Sequence, residues 1–292
     1  MRSPVTVSLN AAELCKGSPA MEKRRLDTLL AERGLFPSRS RAAASVMAGR
    51  VRIGAGERRA QKPGELVDVG ERLWVEAGPM FVSRGGEKLA NALRASGVPV
   101  EGRRAIDVGA STGGFTDCLL QNGAREVIAV DVGYGLLDYR LRSDARVSVL
   151  ERTNARTLAP ELLPPPCEGI GLPDLATVDV SFISLAKVLG PLLGCLAPGY
   201  DVLALVKPQF EVGRGRVGKG GVVRAAADRR ETLVGAGEAA LELGAAVRAY
   251  HSSGLPGPRG NRETFMWVVD PDAGVGTRRA EDLDALAREV EP

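Results

Sequence analysis

The sequence predicts an α/β protein, a Rossmann-like sheet domain preceded by a small α+β domain. Three observations carry this expectation. The chain has 292 residues, more than the roughly 100 to 200 of a usual single domain. The apolar run Arg104-Ala-Ile-Asp-Val leads into a loop bearing Gly109, Gly113 and Gly114 and then into an apolar helix, the strand, loop and helix order of a doubly wound sheet. Ahead of that unit, between Arg25 and Val75, the periodicity switches from helical to alternating.

The boundaries follow from these patterns. Residues 1–20 lack periodicity and are expected to be a disordered extension, 21–77 the small domain, 78–83 a linker, 84–271 the sheet domain and 272–292 a charged C-terminal tail. In the small domain a first helix starts at Arg25, buries Leu26, Leu29 and Leu30 and ends at Gly34. Ser38 or Ser40 caps a second helix, which contributes Val46 and Met47 to the core and ends at Gly49. Val51 with Ile53, and Leu73 with Val75, then alternate as short strands separated by turns at Gly54 to Gly56 and at Pro63-Gly64.

Charge is nearly balanced overall, with 39 Lys and Arg against 36 Asp and Glu. Residues 22–62 nevertheless hold 11 basic and 4 acidic side chains, a local +7. Such a region attracts a phosphate backbone through counterion release. The competing reading is a helical hairpin whose arginines only solvate its surface. Four cysteines, Cys15, Cys118, Cys167 and Cys195, are widely spaced and His251 is the single histidine, so no metal site is expected and the thiols read as reduced and packed in a cytoplasmic protein. No stretch approaches the roughly 18 apolar residues of a membrane helix, and the protein is expected to be soluble and monomeric.

In the sheet domain the glycines allow sharp turning and close backbone approach to a ligand. Their spacing is not Gly-x-Gly-x-x-Gly, and a second strand, Val127 to Val130, ends at Asp131, where a carboxylate accepts hydrogen bonds from a ribose diol. This favours an adenosyl ligand without a pyrophosphate, with NAD as the runner-up. The expected cofactor set is Asp107, Gly109, Ala110, Ser111, Thr112, Gly113, Gly114, Phe115, Thr116, Asp131, Asn154 and Asp179. Further apolar strands end at Asp179 and Lys207, and a third begins after Glu263. If that last strand runs antiparallel, all three groups converge at the carboxyl ends of the parallel strands, within reach of Lys88 on the entrance helix. Two lysines interleaved with two carboxylates suit transfer of a methyl group to a hydroxyl. Lys207, its ammonium disfavoured by Lys88 and by desolvation, is the expected proton acceptor, with Asp179 and Glu263 orienting the lysines. The competing reading is a set of separate strand-end ion pairs. A Gly- and Arg-rich segment, Phe210 to Arg230, reads as a flap facing a nucleic acid, or as an ordinary surface loop.

Residues 25–76 resemble the RNA-binding domain named after ribosomal protein S-four, through the leucine helix, Ser38-Arg39-Ser40 and Gly49-Arg50-Val51. That resemblance assigns Arg39, Arg41, Arg50 and Arg52 to RNA contacts, and Arg25, Arg84, Arg214, Arg216 and Lys219 join them as candidates. From Met21 to Asp270 the chain resembles the TlyA family, also known as haemolysin A, in Ser-Arg-Gly-Gly-Glu-Lys-Leu, Asp-Val-Ser-Phe-Ile-Ser, Val-Lys-Pro-Gln-Phe-Glu and Gly-Asn-Arg-Glu. The resemblance implies an FtsJ-like methyltransferase fold using S-adenosyl-L-methionine, a tetrad of Lys88, Asp179, Lys207 and Glu263, and methylation of the 2′-hydroxyl of cytidine in ribosomal RNA or ribosomal subunits. It departs at Thr264, where the family often has an aromatic residue, and at Phe81, where some members have tryptophan. Two other classes stay open: an RNA-binding assembly factor without catalysis, and a membrane-lytic protein. The second requires an amphipathic inserting segment, which the sequence does not offer.

Overall fold

The computed structural model of the chain describes residues 22–76, 78–165, 171–272 and 280–291. The expected disordered extension, Cys15 and Cys167 lie outside the described residues. The chain divides into two compact units, Met1–Met80 and Phe81–Pro292.

In the first unit, strand β1 (Lys23–Arg25) leads directly into helix α1 (Leu26–Glu32), followed by α2 (Arg39–Met47), β2 (Val51–Ile53), β3 (Arg58–Arg59), β4 (Leu66–Asp68) and β5 (Leu73–Val75). The helix expected from Arg25 thus begins one residue later, because Lys23 to Arg25 pair antiparallel with Asp68 to Leu66. Ser38 is the α2 cap, its side chain accepting from the Arg41 N–H. Gly34 and Gly49 follow the two helices with φ of +69° and +70°, the left-handed geometry that ends a helix at low cost when no Cβ is present. Leu26, Leu29, Leu30, Val46, Val51, Ile53 and Leu73 close the core. Met47, expected in that core, is 71% exposed.

The second unit opens with helix α3 (Arg84–Ser96), capped by Ser83. Then come β6 (Arg104–Val108), α4 (Gly114–Gln121), β7 (Glu126–Val130), α5 (Tyr139–Arg142), β8 (Val147–Leu150), β9 (Leu175–Val178), α6 (Ala186–Leu193), β10 (Asp201–Val206), α7 (Pro208–Glu211), α8 (Ala226–Glu242), β11 (Ala246–Ser252), β12 (Thr264–Val269) and α9 (Ala280–Val290). The strands form one sheet in the order β11-β12-β10-β9-β6-β7-β8. Only β12 runs against its neighbours, antiparallel to both β10 and β11. The interior strands β6, β7, β9 and β10 are near-continuous apolar runs because helices cover both faces. Ile106, Val108, Val178 and Val206 pack on one face with α6, α8 and α9. Ala105, Leu203, Leu205 and Phe265 pack on the other with α3 and α4.

Both expected edges of this unit move outward. Phe81, placed in the linker, is buried in the core, and a Cβ on Gly86 would lie 2.3 Å from its ring. The expected tail carries α9, whose Leu283, Leu286 and Ala287 enter the core beside α8. There the carboxylate of Glu291 accepts a hydrogen bond from Arg229 at 2.6 Å. Three apolar side chains on one face of a charged helix, with this ion pair at its end, dock it.

Candidate active site

The strand order reverses between β6 and β9, the switch point where an open α/β sheet binds ligands. Gly109 follows β6 with φ +87°, and a Cβ there would sit 2.5 Å from the carbonyl oxygen of Asp179. Gly114 starts α4 against Gly86, where a Cβ would meet its nitrogen at 2.9 Å. The loop is therefore squeezed between two backbones, and glycine is what fits.

Beneath it lies Asp107, fully buried. Its carboxylate accepts from Thr116 Oγ1 at 2.7 Å and Thr177 Oγ1 at 3.0 Å. Burial, aided by the neighbouring charge of Asp179, pushes this carboxyl up to about 6 despite the two threonine hydrogen bonds. Asp107, Thr116 and Gly113 are buried and are not among the residues that line the three cavities of the site. Through the Thr116 and Thr177 hydroxyls, Asp107 ties β6 to α4 and to β9 under the loop.

Asp131 ends β7 as expected, and its two oxygens accept from the backbone N–H groups of Ser111 and Gly133, each at 2.7 Å. It lines a cavity of about 550 Å³ with Gly109, Ser111, Asn154, Asp179 and Phe182, within the size range of small-molecule sites. An adjoining cavity of about 320 Å³ is walled by Lys88, Ala110, Thr112, Gly114, Phe115 and Arg84. Arg84 faces this side of the molecule and donates to the Pro256 carbonyl.

The antiparallel β12 brings Glu263 alongside Lys207, so the four tetrad residues meet around a third cavity of about 390 Å³. They form two ion pairs. Lys88 Nζ contacts Glu263 Oε2, both side chains nearly buried. Lys207 Nζ lies 2.5 Å from Asp179 Oδ1 and also donates to Ser181 Oγ at 2.9 Å. Asp179 lines all three cavities and Lys88 two of them.

One site residue escaped the sequence reading. Phe182 is 92% exposed with φ +66°, and its ring stands 5.1 Å from that of Phe210. A phenylalanine in the left-handed region is strained, and this one is exposed where it borders two cavities. The available signal was an aromatic residue three positions past a strand-end acid.

The arginine candidates divide. Arg25 and Arg39 both bond the buried Asp27, whose carboxyl is held down at about 2 chiefly by Arg25 and then by Arg39, against the opposing effect of burial. Arg52 pairs with Glu76, and Arg216 with Glu231 and Asp228. Arg41 and Lys219 are exposed and Arg50 is half-buried. The side chain of Arg214 lies outside the described residues. Arg59, not among the candidates, lies across Gly49, where a Cβ would stand 1.5 Å from its guanidinium. Both described cysteines, Cys118 and Cys195, are buried and free, and burial pushes their thiols up to about 12 and about 11. Among the described residues no group of acidic, Cys and His side chains is arranged to hold a metal, and no helix is long and apolar enough to cross a membrane.

A sheet with one reversed strand, a glycine loop at its switch point and a charged tetrad beside it define a Rossmann-like methyltransferase domain, which follows a separate small α+β unit. Residues 81–269 match the FtsJ-like methyltransferase family and residues 24–73 the S4 domain. The 16S/23S rRNA (cytidine-2'-O)-methyltransferase TlyA of Mycobacterium tuberculosis is 46% identical over 263 residues, covering 89% of this chain and 95% of that protein. Hemolysin A of Brachyspira hyodysenteriae is 37% identical, covering 84% and 99%. A solved structure from Streptococcus thermophilus is 40% identical, covers 92% of this chain and 97% of that one, and superposes with a TM-score of 0.64. The chain belongs to the TlyA family of FtsJ-like methyltransferases.

Proposed function

We propose that this chain transfers a methyl group from S-adenosyl-L-methionine to the 2′-hydroxyl of a cytidine in ribosomal RNA. The observation that carries the reading is Asp179, which borders the glycine-loop cavities and the tetrad cavity and is paired with Lys207. The name of the mycobacterial relative describes the same reaction for that protein.

The residues fit the cofactor. Asp131 offers carboxylate oxygens to a ribose diol, Gly109 and Ser111 offer close backbone, and Val132 and Leu136 offer an apolar wall. When bound, the cofactor supplies an electrophilic methyl on a sulfonium. The chain's part is to hold a ribose oxygen in line with that methyl, since alignment contributes much of such a rate. As the new bond forms the hydroxyl proton is accepted at Lys207 Nζ, and the neighbouring Asp179 carboxylate holds the ammonium so formed. The Lys88–Glu263 pair fixes the opposite wall. Phe182, projecting beside Phe210, is a stacking platform for the base of the nucleotide, since every base presents a π-face to an aromatic ring. Arg41, Arg50 and Arg59 of the first unit give phosphate contacts that position without reading sequence.

The test is incubation of purified protein with labelled cofactor and ribosomal subunits, followed by nucleoside analysis. 2′-O-methylcytidine is expected. A methylated base, or no transfer with bound cofactor, contradicts the proposal.

A further inference from the structure

The Phe182 loop is fastened at two ends, and only one of them belongs to the tetrad. At the near end Lys207 holds Asp179 and Ser181. At the far end stands Glu211, the last residue of α7, one helical turn beyond Lys207. Its Oε2 accepts from Ser184 Oγ at 2.7 Å and its Oε1 accepts from the Leu185 N–H at 2.9 Å. Burial pushes its carboxyl above the ordinary glutamate range. A carboxylate kept at that cost has work beyond solvation.

Capping of α6 is the plainer assignment, because Leu185 precedes that helix and provides no side-chain cap. A cap alone, however, is ordinarily supplied from within the chain next to the helix, whereas Glu211 reaches from the β10 loop to the β9 loop. Between the two fastenings lies Phe182 in a left-handed conformation that an unrestrained loop would leave. The same stretch, Val180 to Ile183, borders the cofactor cavity, and its Ser181 and Phe182 border the tetrad cavity. Movement of that partition would misalign the hydroxyl and the methyl without removing either from its cavity.

We infer that Glu211 is a positioning residue for methyl transfer, its carboxylate clamping the Ser184–Leu185 turn to α7 so that Phe182 and Asp179 are held against Lys207 and Phe210. This rests on the methyl-transfer reading for its kinetic consequence but not for its structural one.

Two readouts separate them. In steady-state transfer to ribosomal subunits, Glu211→Gln is expected to lower kcat by about 10- to 100-fold, with KM for cofactor and for subunits changed less than about threefold, because alignment rather than affinity is lost. Ser184→Ala is expected to lower kcat by roughly threefold to tenfold, and the double variant to match Glu211→Gln alone, since the Ser184 contact is one of the two that Glu211 makes. Unchanged kcat in Glu211→Gln, or losses that multiply independently, overturns the inference. If Glu211→Gln fails to fold, Ser184→Ala decides the matter by the same kcat criterion. The second readout is the fluorine resonance of 4-fluorophenylalanine introduced at position 182. It is expected to shift in Ser184→Ala and in Glu211→Gln whether or not RNA is methylated, and an unmoved resonance overturns the clamp. A wild-type protein that transfers nothing would instead contradict the methyl-transfer reading, with the resonance still judging the clamp.

Discussion

The two sides of the Phe182 loop are built by opposite means. On the cofactor side the walls are largely backbone: Gly109 and Gly114 pass within van der Waals contact of other main chains, and each Asp131 oxygen accepts one backbone N–H and keeps a further lone pair for a ribose diol. On the tetrad side the walls are side chains, two lysines each matched to a carboxylate and two phenylalanines. A backbone wall is sensitive to added volume and indifferent to charge. A side-chain wall is the reverse, so substitutions can address binding and chemistry separately.

The largest expected effect is on chemistry. Lys207→Ala should lower transfer by about 10²- to 10⁴-fold, the usual worth of a positioned proton-transfer group, while calorimetry finds cofactor affinity within about threefold of wild type. Equal loss of binding would merge the two sides into one. Next comes the buried pair. Glu263→Ala leaves Lys88 uncompensated and should cost about 3–5 kcal/mol of stability, measured by denaturant unfolding. Lys88→Met combined with Glu263→Leu should recover most of that stability and none of the activity. Recovery of both would make the pair mere scaffolding.

On the backbone side, Gly109→Ala combines φ +87° with a Cβ 2.5 Å from the Asp179 carbonyl oxygen. Strain and displacement together should cost roughly 2–4 kcal/mol and abolish cofactor binding, whereas Ser111→Ala should be mild. Beneath that loop Asp107 gives a pH effect. Its folded carboxyl titrates at about 6 against an ordinary 3.8, so the folded state retains a proton that the unfolded state releases in between. Stability therefore falls as pH rises through that window and levels off above it. Asp107→Asn removes the titration, and its thermal midpoint should gain on wild type between those pH values. A constant difference across the window would contradict the burial argument. The smallest effect belongs to the first unit, where Arg41→Glu should weaken RNA binding by about threefold to tenfold and flatten its salt dependence. Arg25→Ala should act mainly on stability, because that guanidinium is engaged with Asp27.

The same contrast governs what the sequence disclosed. Interior parallel strands read clearly because burial on both faces makes them apolar runs whose polar ends stand out at Asp131, Asp179 and Lys207. The antiparallel direction of β12, on which the place of Glu263 depends, entered only as a condition, which the pairing with β10 meets. The edge strands β8 and β11 carried no such mark. Ser148 and Arg248 interrupt them, and β11 contains a register shift between Val247 and Ala249. Which arginines are free was illegible, since Arg39 meets Asp27 across a helix pair and Arg52 meets Glu76 across two strands. Asp107 looked like a ligand because it adjoins the glycine loop, but in a strand alternate side chains face opposite ways. It points under the loop, to Thr116 and Thr177. Phe182 needed its backbone angle and exposure to be noticed at all.

The central claim is that the tetrad serves transfer to a ribose oxygen. Its most direct measurement is a single-turnover assay of wild type and Lys207→Ala on ribosomal subunits, both saturated with labelled cofactor, scored for 2′-O-methylcytidine. Label on the ribose with wild type, and its near-absence with Lys207→Ala at equal cofactor occupancy, is the predicted result. Undiminished ribose methylation by Lys207→Ala would contradict the account.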